Sequence, residues 1–324
     1  MLIILLLFSW KHNFKKPSKL LNPKKSIQFK RLTRWVNRKY KPNGKRKMRI
    51  NQNIVDNVIK IDTDYRSTWD SRGIAHVTGI SHGSVAKILE EHRGSRPERN
   101  KPPHNGRTKF LFRDVMWPSD CTETDTGKLL VRTIDEKTGF TLGYDTARSE
   151  NADEITKHAE GIIARFGRAP LVWKYDNGSA FKSSKFGKLF IQHKIIPYPI
   201  HRRSPWTNGR TECSHKDVHR WLIQAEAKGL TGNEFMKDLG EGVLMLNYLK
   251  PRAVLGYETA ARAYFNGRGV TEADRVKLWK EVENIHKKFV EYKHRKIVRV
   301  AMQNVGLYEE WILNKKKAES VNRY

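Results

Sequence analysis

Cysteine and acidic residues are scarce in this 324-residue sequence. Its only two cysteines are Cys121 and Cys213, which excludes a disulfide-stapled scaffold and a zinc site with four cysteine ligands. Lysine and arginine number 63 against 34 aspartates and glutamates, which gives a formal net charge of +29. An excess of this size favours a polyanionic partner, nucleic acid first and an anionic membrane second.

Long apolar runs are missing as well. The apolar start, Leu2 to Phe8, is too short to span a bilayer. No basic segment precedes it and no small-residue cleavage site follows, so it does not predict a signal peptide. We interpret it as a mispredicted start or the remnant of an upstream reading frame, and we expect no membrane partner.

Acidic residues are absent from the first 50 positions, which contain sixteen lysines and arginines. Blocks of one charge sign are typical of disordered arms. We therefore predict that residues 1–49 form a disordered arm that can bind DNA without sequence preference.

The stretch 50–92 has the apolar spacing of three short helices. Gly79 fits a tight turn between the second and third helices, and Ser81 fits the cap of the third. This pattern predicts a helix-turn-helix domain that binds DNA, with a three-helix bundle lacking DNA contact as the alternative. The outward residues of its recognition helix would be His82, Ser84 and Lys87, although His82 equally fits an ordinary solvated side chain.

A catalytic pattern lies further along, in the segment Lys174 to Glu212. An apolar strand delivers Asp176 at its end, a helical segment and a second strand follow, and a long helix carries Glu212 in its first turn. A strand–helix–strand unit brings its ends to one edge of a sheet, and carboxylates placed there can share divalent metal ions. Each residue alone would fit a turn or a helix start, so the prediction rests on their combination.

The motif DNG-x-x-F, followed after 35 residues by the glutamate of SPWTNGRTE, resembles the integrase catalytic core of insertion-sequence transposases and retroviral-type integrases. The resemblance covers about Trp117 to Tyr264; Ala260 stands where the family usually has proline. It implies a ribonuclease-H-like α/β fold, a mixed five-stranded sheet flanked by helices. Three strands, helix, strand, helix, strand, helix is the element order that we expect, preceded here by the all-α helix-turn-helix domain.

The resemblance also implies an Asp-Asp-Glu triad that binds two Mg²⁺ ions, with Mn²⁺ as a possible substitute. Asp176 and Glu212 match its second and third members, and Asp120 on the strand at Trp117 is the candidate for the first. Three other aspartates compete for that role: Asp114, Asp125 and Asp135, the last of which fits the closing turn of a strand better. Lys216 and His219, on the face of Glu212, match family positions that touch DNA ends. Alternation along the strand turns Cys121 away from the triad, and one helical step turns Cys213 aside, so we predict that both are core thiols.

The predicted organisation has five parts. They are a basic arm (1–49), the helix-turn-helix domain (50–92), a linker rich in proline and glycine (93–110), the catalytic core (111–264) and a helical tail (265–324). In the tail we predict one helix from Thr271 to Arg295, whose apolar stripe packs on the core. The stripe consists of Leu278, Val282, Ile285, Phe289 and Tyr292.

These features lead to one first hypothesis, a transposase that cuts at the ends of its element and joins 3′-hydroxyls to target DNA. Its partners would be the element's terminal repeats, target DNA and further copies of itself, and we expect it in the cytoplasm at the nucleoid. The alternative is a non-enzymatic DNA-binding protein, either host-adopted or an inactive relic. A viral or retrotransposon integrase is disfavoured, because no cysteine precedes Cys121 to build the zinc module of retroviral integrases.

Overall fold

The structure is a computed structural model that describes residues 50–94, 106–123, 129–147, 149, 151–176, 178, 180–200 and 209–312. For residues 106–107, 209–215 and 311–312 it describes the backbone only. The predicted basic arm and the competing Asp125 lie outside the described residues, as does most of the predicted linker. Among the described residues, no helix has the length and apolar character needed to cross a bilayer.

Helices and strands alternate along the described chain. The helices are α1 (Gln52–Asp64), α2 (Ser71–Thr78), α3 (His82–Arg93), α4 (Ala152–Phe166), α5 (Ser184–Gln192), α6 (Gly209–Ala227), α7 (Gly232–Tyr248), α8 (Ala260–Asn266), α9 (Glu272–Lys288) and α10 (His294–Asn304). The strands are β1 (Gly106–Phe110), β2 (Met116–Glu123), β3 (Leu129–Ile134), β4 (Thr141–Ala147), β5 (Val172–Tyr175), β6 (Ile196–Pro199), β7 (Pro251–Arg252), β8 (Glu258–Thr259) and β9 (Tyr308–Ile312).

The described residues divide into two compact units. The helical unit comprises residues 50–94 and 213–266, and the sheet unit comprises residues 106–212 and 267–312. The sequence assigns residues 213–264 to the predicted core, whereas the structure groups them with the N-terminal helices. Apolar periodicity shows that a segment is helical, but it does not show which partner covers its apolar face.

A mixed five-stranded sheet organises the sheet unit, in the order β4-β3-β2-β5-β6. Strands β2, β3 and β4 pair antiparallel, and β2, β5 and β6 pair parallel through the crossover helices α4 and α5. This confirms the predicted fold class. Helix α4 is capped at its start, because the Asn151 side chain accepts a hydrogen bond from Glu154 N at 2.9 Å.

Helices cover both faces of this sheet. On one face Trp173 of β5 lies 6.0 Å, centroid to centroid, from Phe186 of α5, and Gly143 of β4 leaves room for Ile162 of α4. Helices α9 and α10 pack on the other face, where they bury residues of β2, β5 and β6. This second cluster includes Met116, Val172, Ile196, Leu278, Val282, Ile285, Ile297, Val298 and Met302.

The predicted tail helix packs on the sheet of its own chain, but it is shorter than predicted. Leu278, Val282 and Ile285 are buried as the apolar stripe requires. The helix ends at Lys288, and Phe289 is 41% exposed and stacks on Tyr292 at 4.8 Å between ring centroids. A second helix, α10, begins at His294. The heptad spacing thus predicts one continuous helix where the structure has two, separated by the non-helical residues 289–293.

The N-terminal helices of the helical unit follow the sequence closely. Helix α2 ends at Gly79, whose φ of 73° is the left-handed conformation that glycine adopts without strain. The Ser81 hydroxyl caps α3 by accepting from Ser84 N at 3.1 Å. The apolar residues of α3, Val85, Ile88 and Leu89, are buried in a cluster that also contains Val58, Ile61, Ile74 and Leu249. The N-terminal helical region is therefore present as predicted.

Candidate active site

Asp120 lies on strand β2, two residues beyond the last residue of β2 that pairs with β5. Residues Met116–Pro118 pair with β5, and residues Ser119–Glu123 pair with β3. Asp120 is half-buried there. Open α/β sheets form crevices at the carboxyl ends of parallel strands, so Asp120 lies where such sheets commonly place ligands.

Asp176 follows the end of the neighbouring strand β5. The parallel register pairs Pro118 with Lys174, so Asp120 and Asp176 each lie two residues beyond a matched pair. Strand alternation then puts both aspartates on the same face, on strands about 4.8 Å apart. The turn after β5 begins with Asp176 itself, whose Oδ1 accepts a hydrogen bond from Gly178 N at 3.1 Å.

The third candidate, Glu212, lies in the first turn of helix α6. Its backbone is helical, and its side chain lies outside the described residues. Further along α6, Lys216 and His219 are exposed, whereas Asp217 and Val218 between them are buried. Among the described side chains, no group of three His, Cys, Asp or Glu residues could hold a metal ion. The triad therefore remains a prediction in which two members lie side by side.

Two competing aspartates, Asp114 and Asp135, have structural roles in the sheet unit. Asp114, fully buried, forms an ion pair with Arg168 at 2.9 Å between Oδ2 and Nε, and it accepts from Trp117 Nε1 at 3.1 Å. Asp135 Oδ2 accepts from Thr138 N at 2.9 Å, which confirms that Asp135 closes the turn after β3. Burial, together with the charge of Asp114, raises the pKa of Asp135 to about 7.

Two buried cationic side chains lie on the strands that carry or precede the aspartates, and nothing in the sequence analysis selects them. Lys174 is 4% exposed and shares a sheet face with Asp176 by alternation. Arg132 is 1% exposed and is the β3 register partner of Asp120. These two residues do not stand out in a chain with 63 lysines and arginines. They are identified by the alternation of side chains along each strand, together with the register of β2 and β3. Arg132 Nε and Nη2 donate to Thr141 Oγ1 of β4 at 3.1 and 2.8 Å, which holds the guanidinium against β4.

A chain of hydrogen bonds fixes the strands on the opposite face. Trp173 Nε1 donates to Ser119 Oγ at 2.8 Å, and the Ser119 and Thr133 hydroxyls are 2.6 Å apart. Thr133 Oγ1 lies 2.9 Å from His158 Nε2, and His158 Nδ1 lies 2.5 Å from Asp145 Oδ2. These contacts join β5, β2 and β3 directly beneath Asp120, which makes the position of that residue rigid.

The predicted DNA-contacting residues of α3 differ in solvent exposure and in side-chain contacts. His82 and Lys87 are exposed, and His82 Nε2 lies 3.0 Å from Ser71 Oγ. Ser84 is half-buried, with its hydroxyl 2.7 Å from that of the capping Ser81. Cys121, the one cysteine whose side chain is described, is half-buried on the sheet face away from Asp120. Cys213 lies outside the described side chains.

The order β4-β3-β2-β5-β6, with helices on both faces, defines a ribonuclease-H-like fold. Residues 113–205, which include Asp120 and Asp176, match the sequence family of the integrase core domain. This segment is therefore similar to the integrase core domain, and the similarity supports a DNA-processing function of the transposase or integrase type. No curated protein matches the chain.

Several solved structures are similar to the chain. The catalytic core domain of BIV integrase is 18% identical with a TM-score of 0.41, and the match covers 47% of this chain and 95% of that one. The simian T-cell lymphotropic virus intasome in complex with PP2A regulatory subunit B56 gamma is 17% identical with a TM-score of 0.44, covering 64% and 74%. The HTLV-2 integrase catalytic core domain in complex with magnesium is 18% identical with a TM-score of 0.41, covering 48% and 99%.

Proposed function

We propose that the protein is a transposase that cleaves DNA at the ends of its element and transfers the 3′-hydroxyls into target DNA. The observation that supports this most is the register of β2 and β5. It brings Asp120 and Asp176 to one face at the carboxyl end of two parallel strands, inside the segment that matches the integrase core. The similarity to the integrase core supports the reaction class, and the pattern of the three carboxylates supports the proposed ligand set.

The two aspartates suit magnesium, because carboxylate oxygens are the ligands that Mg²⁺ prefers. Asp120 and Asp176, with Glu212 from α6, would hold two Mg²⁺ ions, and Mn²⁺ could substitute. Such a pair of ions activates the attacking oxygen and stabilises the leaving oxygen in phosphoryl transfer. The hydroxyls of Ser119 and Thr133 hold β2 in register with β3.

DNA is the partner that the charge of +29 supports. Helix α3 would read the terminal repeats through His82, Ser84 and Lys87, and Lys216 and His219 on α6 would contact the DNA ends. Phosphate contacts position a protein on DNA, whereas contacts to base edges provide the sequence preference. Joining two ends to one target also requires two active sites, so the functional form would be a multimer on DNA.

Substitution of the three carboxylates tests the proposal. Asp120→Asn, Asp176→Asn and Glu212→Gln should each reduce Mg²⁺-dependent strand transfer by about a thousandfold, because removing a ligand costs several kcal/mol of transition-state stabilisation. Binding to the same DNA, measured by fluorescence anisotropy, should be retained. Asp153→Asn is the matched control, because Asp153 is an exposed carboxylate on α4 of the same unit.

Strand transfer that persists in Asp176→Asn would contradict the assignment. Persistence in Asp120→Asn alone would remove only the first ligand from the proposed site. If the wild-type protein binds terminal repeats specifically but shows no transfer with Mg²⁺ or Mn²⁺, the chain is a non-enzymatic DNA-binding protein.

A further inference from the structure

Helix α6 is fastened to the turn between α1 and α2, and Arg66 makes the central contacts. Arg66 Nη1 donates to Asp238 Oδ2 of α7 at 2.7 Å, and its Nη2 donates to the other carboxylate oxygen. The same Nη1 donates to the main-chain oxygen of Trp221 on α6 at 3.1 Å. The guanidinium also lies 3.9 Å from the centroid of the Trp221 ring. One side chain thus joins the α1–α2 turn to two helices that are more than 150 residues away in sequence.

Main-chain oxygens of the same turn receive further contacts from α6 and from the end of α7. Arg220 Nη1 donates to Ser67 O at 2.7 Å. Lys250 Nζ donates to Thr68 O at 2.6 Å and to Asp217 Oδ2 at 2.5 Å. Three cationic side chains therefore make hydrogen bonds within the helical unit.

The turn itself has an unusual backbone. Arg66 and Ser67 have φ values of 50° and 54°, in the left-handed region that residues other than glycine rarely adopt. Such conformations persist only where the surrounding contacts fix them. The carbonyl groups of Ser67 and Thr68 thereby point toward the cationic side chains that donate to them. The backbone of the turn thus has a conformation that allows it to contact α6.

Helix α6 also carries the proposed functional residues Glu212, Lys216 and His219. We infer that the α1–α2 turn is a docking site for α6, and that it couples DNA binding by the helix-turn-helix domain to the position and stability of α6. Arg66 is the positioning residue. This inference rests on the proposed function. DNA bound at α3 holds α1 and α2, and the Arg66 contacts pass that restraint to α6.

A matched control exists in the same unit. Arg93 Nε donates to Asp62 Oδ2 at 3.0 Å, and its Nη2 donates to Trp69 O at 3.1 Å. Like Arg66, Arg93 therefore donates to a carboxylate and to a tryptophan main-chain oxygen. All of these contacts of Arg93 lie within the segment of the three N-terminal helices. Replacing either arginine by lysine keeps the charge and removes the planar fork, so the two variants differ in which helices they loosen.

Hydrogen exchange of the full chain, with and without a random-sequence DNA duplex, tests the coupling. In the wild-type protein, DNA should slow amide exchange in α3 and also in residues 216–227 of α6. In Arg66→Lys the protection of α3 should remain, and exchange in α6 should become about tenfold faster and insensitive to DNA. In Arg93→Lys the response of α6 to DNA should match the wild type.

Two results would overturn the inference: an α6 that still responds to DNA in Arg66→Lys, or an α6 that loses its response equally in both variants. Strand transfer gives a second readout, because Arg66→Lys should lose more activity than Arg93→Lys at equal DNA affinity. A wild-type protein without strand transfer would overturn the proposed function alone. The exchange comparison needs only DNA binding and would still decide whether Arg66 couples α6 to the helix-turn-helix domain.

Discussion

The sheet unit and the helical unit are stabilised in different ways. In the sheet unit, neighbouring strands bring apolar side chains together, and its buried polar groups form short chains such as Trp173–Ser119–Thr133. In the helical unit, residues 50–94 meet residues 213–266, and the Arg66–Asp238 pair makes a specific connection between them. Fold can therefore be recognised from local patterns in the sheet unit, whereas the helical unit depends on particular long-range contacts.

The largest expected difference between the units is the response of the sheet unit to pH. The folded-state pKa of Asp135, about 7, lies above its ordinary value of 3.8. The folded state thus holds a proton that the unfolded state has lost across this range, and stability falls as pH rises from about 4 to about 7. The effect is at most about 4 kcal/mol for one carboxyl. Urea unfolding of the wild-type protein at pH 5 and pH 7.5 should show it.

Asp135→Asn isolates this contribution, because the amide does not titrate. The difference in unfolding free energy between the two pH values should shrink in the variant, whatever the absolute cost of the lost hydrogen bonds. An unchanged difference would mean that other groups cause the pH dependence. Peptide-level hydrogen exchange should show that the change is confined to the sheet unit.

Two glycines provide a smaller and more direct comparison. A Cβ at Gly242 of α7 would lie 2.5 Å from Cδ2 of the Trp221 ring, and one at Gly143 of β4 would lie 2.6 Å from Cδ1 of Ile162. The rigid indole cannot move away, whereas the end of the isoleucine side chain can change its rotamer. We expect Gly242→Ala to cost about 1–3 kcal/mol and Gly143→Ala less, by thermal unfolding. Equal costs would show that the contact between α6 and α7 is no more rigid than the sheet.

Much of the sheet unit could be predicted from the sequence. Apolar strands and the DNG turn gave the fold class, and the spacing of apolar residues located the side of α9 that packs on the sheet. The end of α9 at Lys288 was missed, because Phe289 and Tyr292 continue the heptad spacing although Phe289 is largely exposed and stacks on Tyr292. The spacing of apolar residues indicates which of them could share one face of a helix. It does not indicate whether another element packs against that face.

The candidate site was predictable in part for a similar reason. The motif identified Asp176, and strand order made Asp120 a neighbour, but the register that aligns the two appears only in the structure. Arg132 and Lys174 were missed, because their importance comes from cross-strand pairing and burial. The contacts of Arg66 could not be predicted from sequence at all, since Asp238 lies 172 residues away.

The central claim is that Asp120 and Asp176 together hold a catalytic metal ion, and Mn²⁺ binding followed by electron paramagnetic resonance tests it most directly. The wild-type protein and the Asp153→Asn control should bind Mn²⁺ alike. Asp120→Asn and Asp176→Asn should each weaken binding by roughly tenfold or more, because each removes a direct ligand. Wild-type affinity in both aspartate variants would contradict the claim.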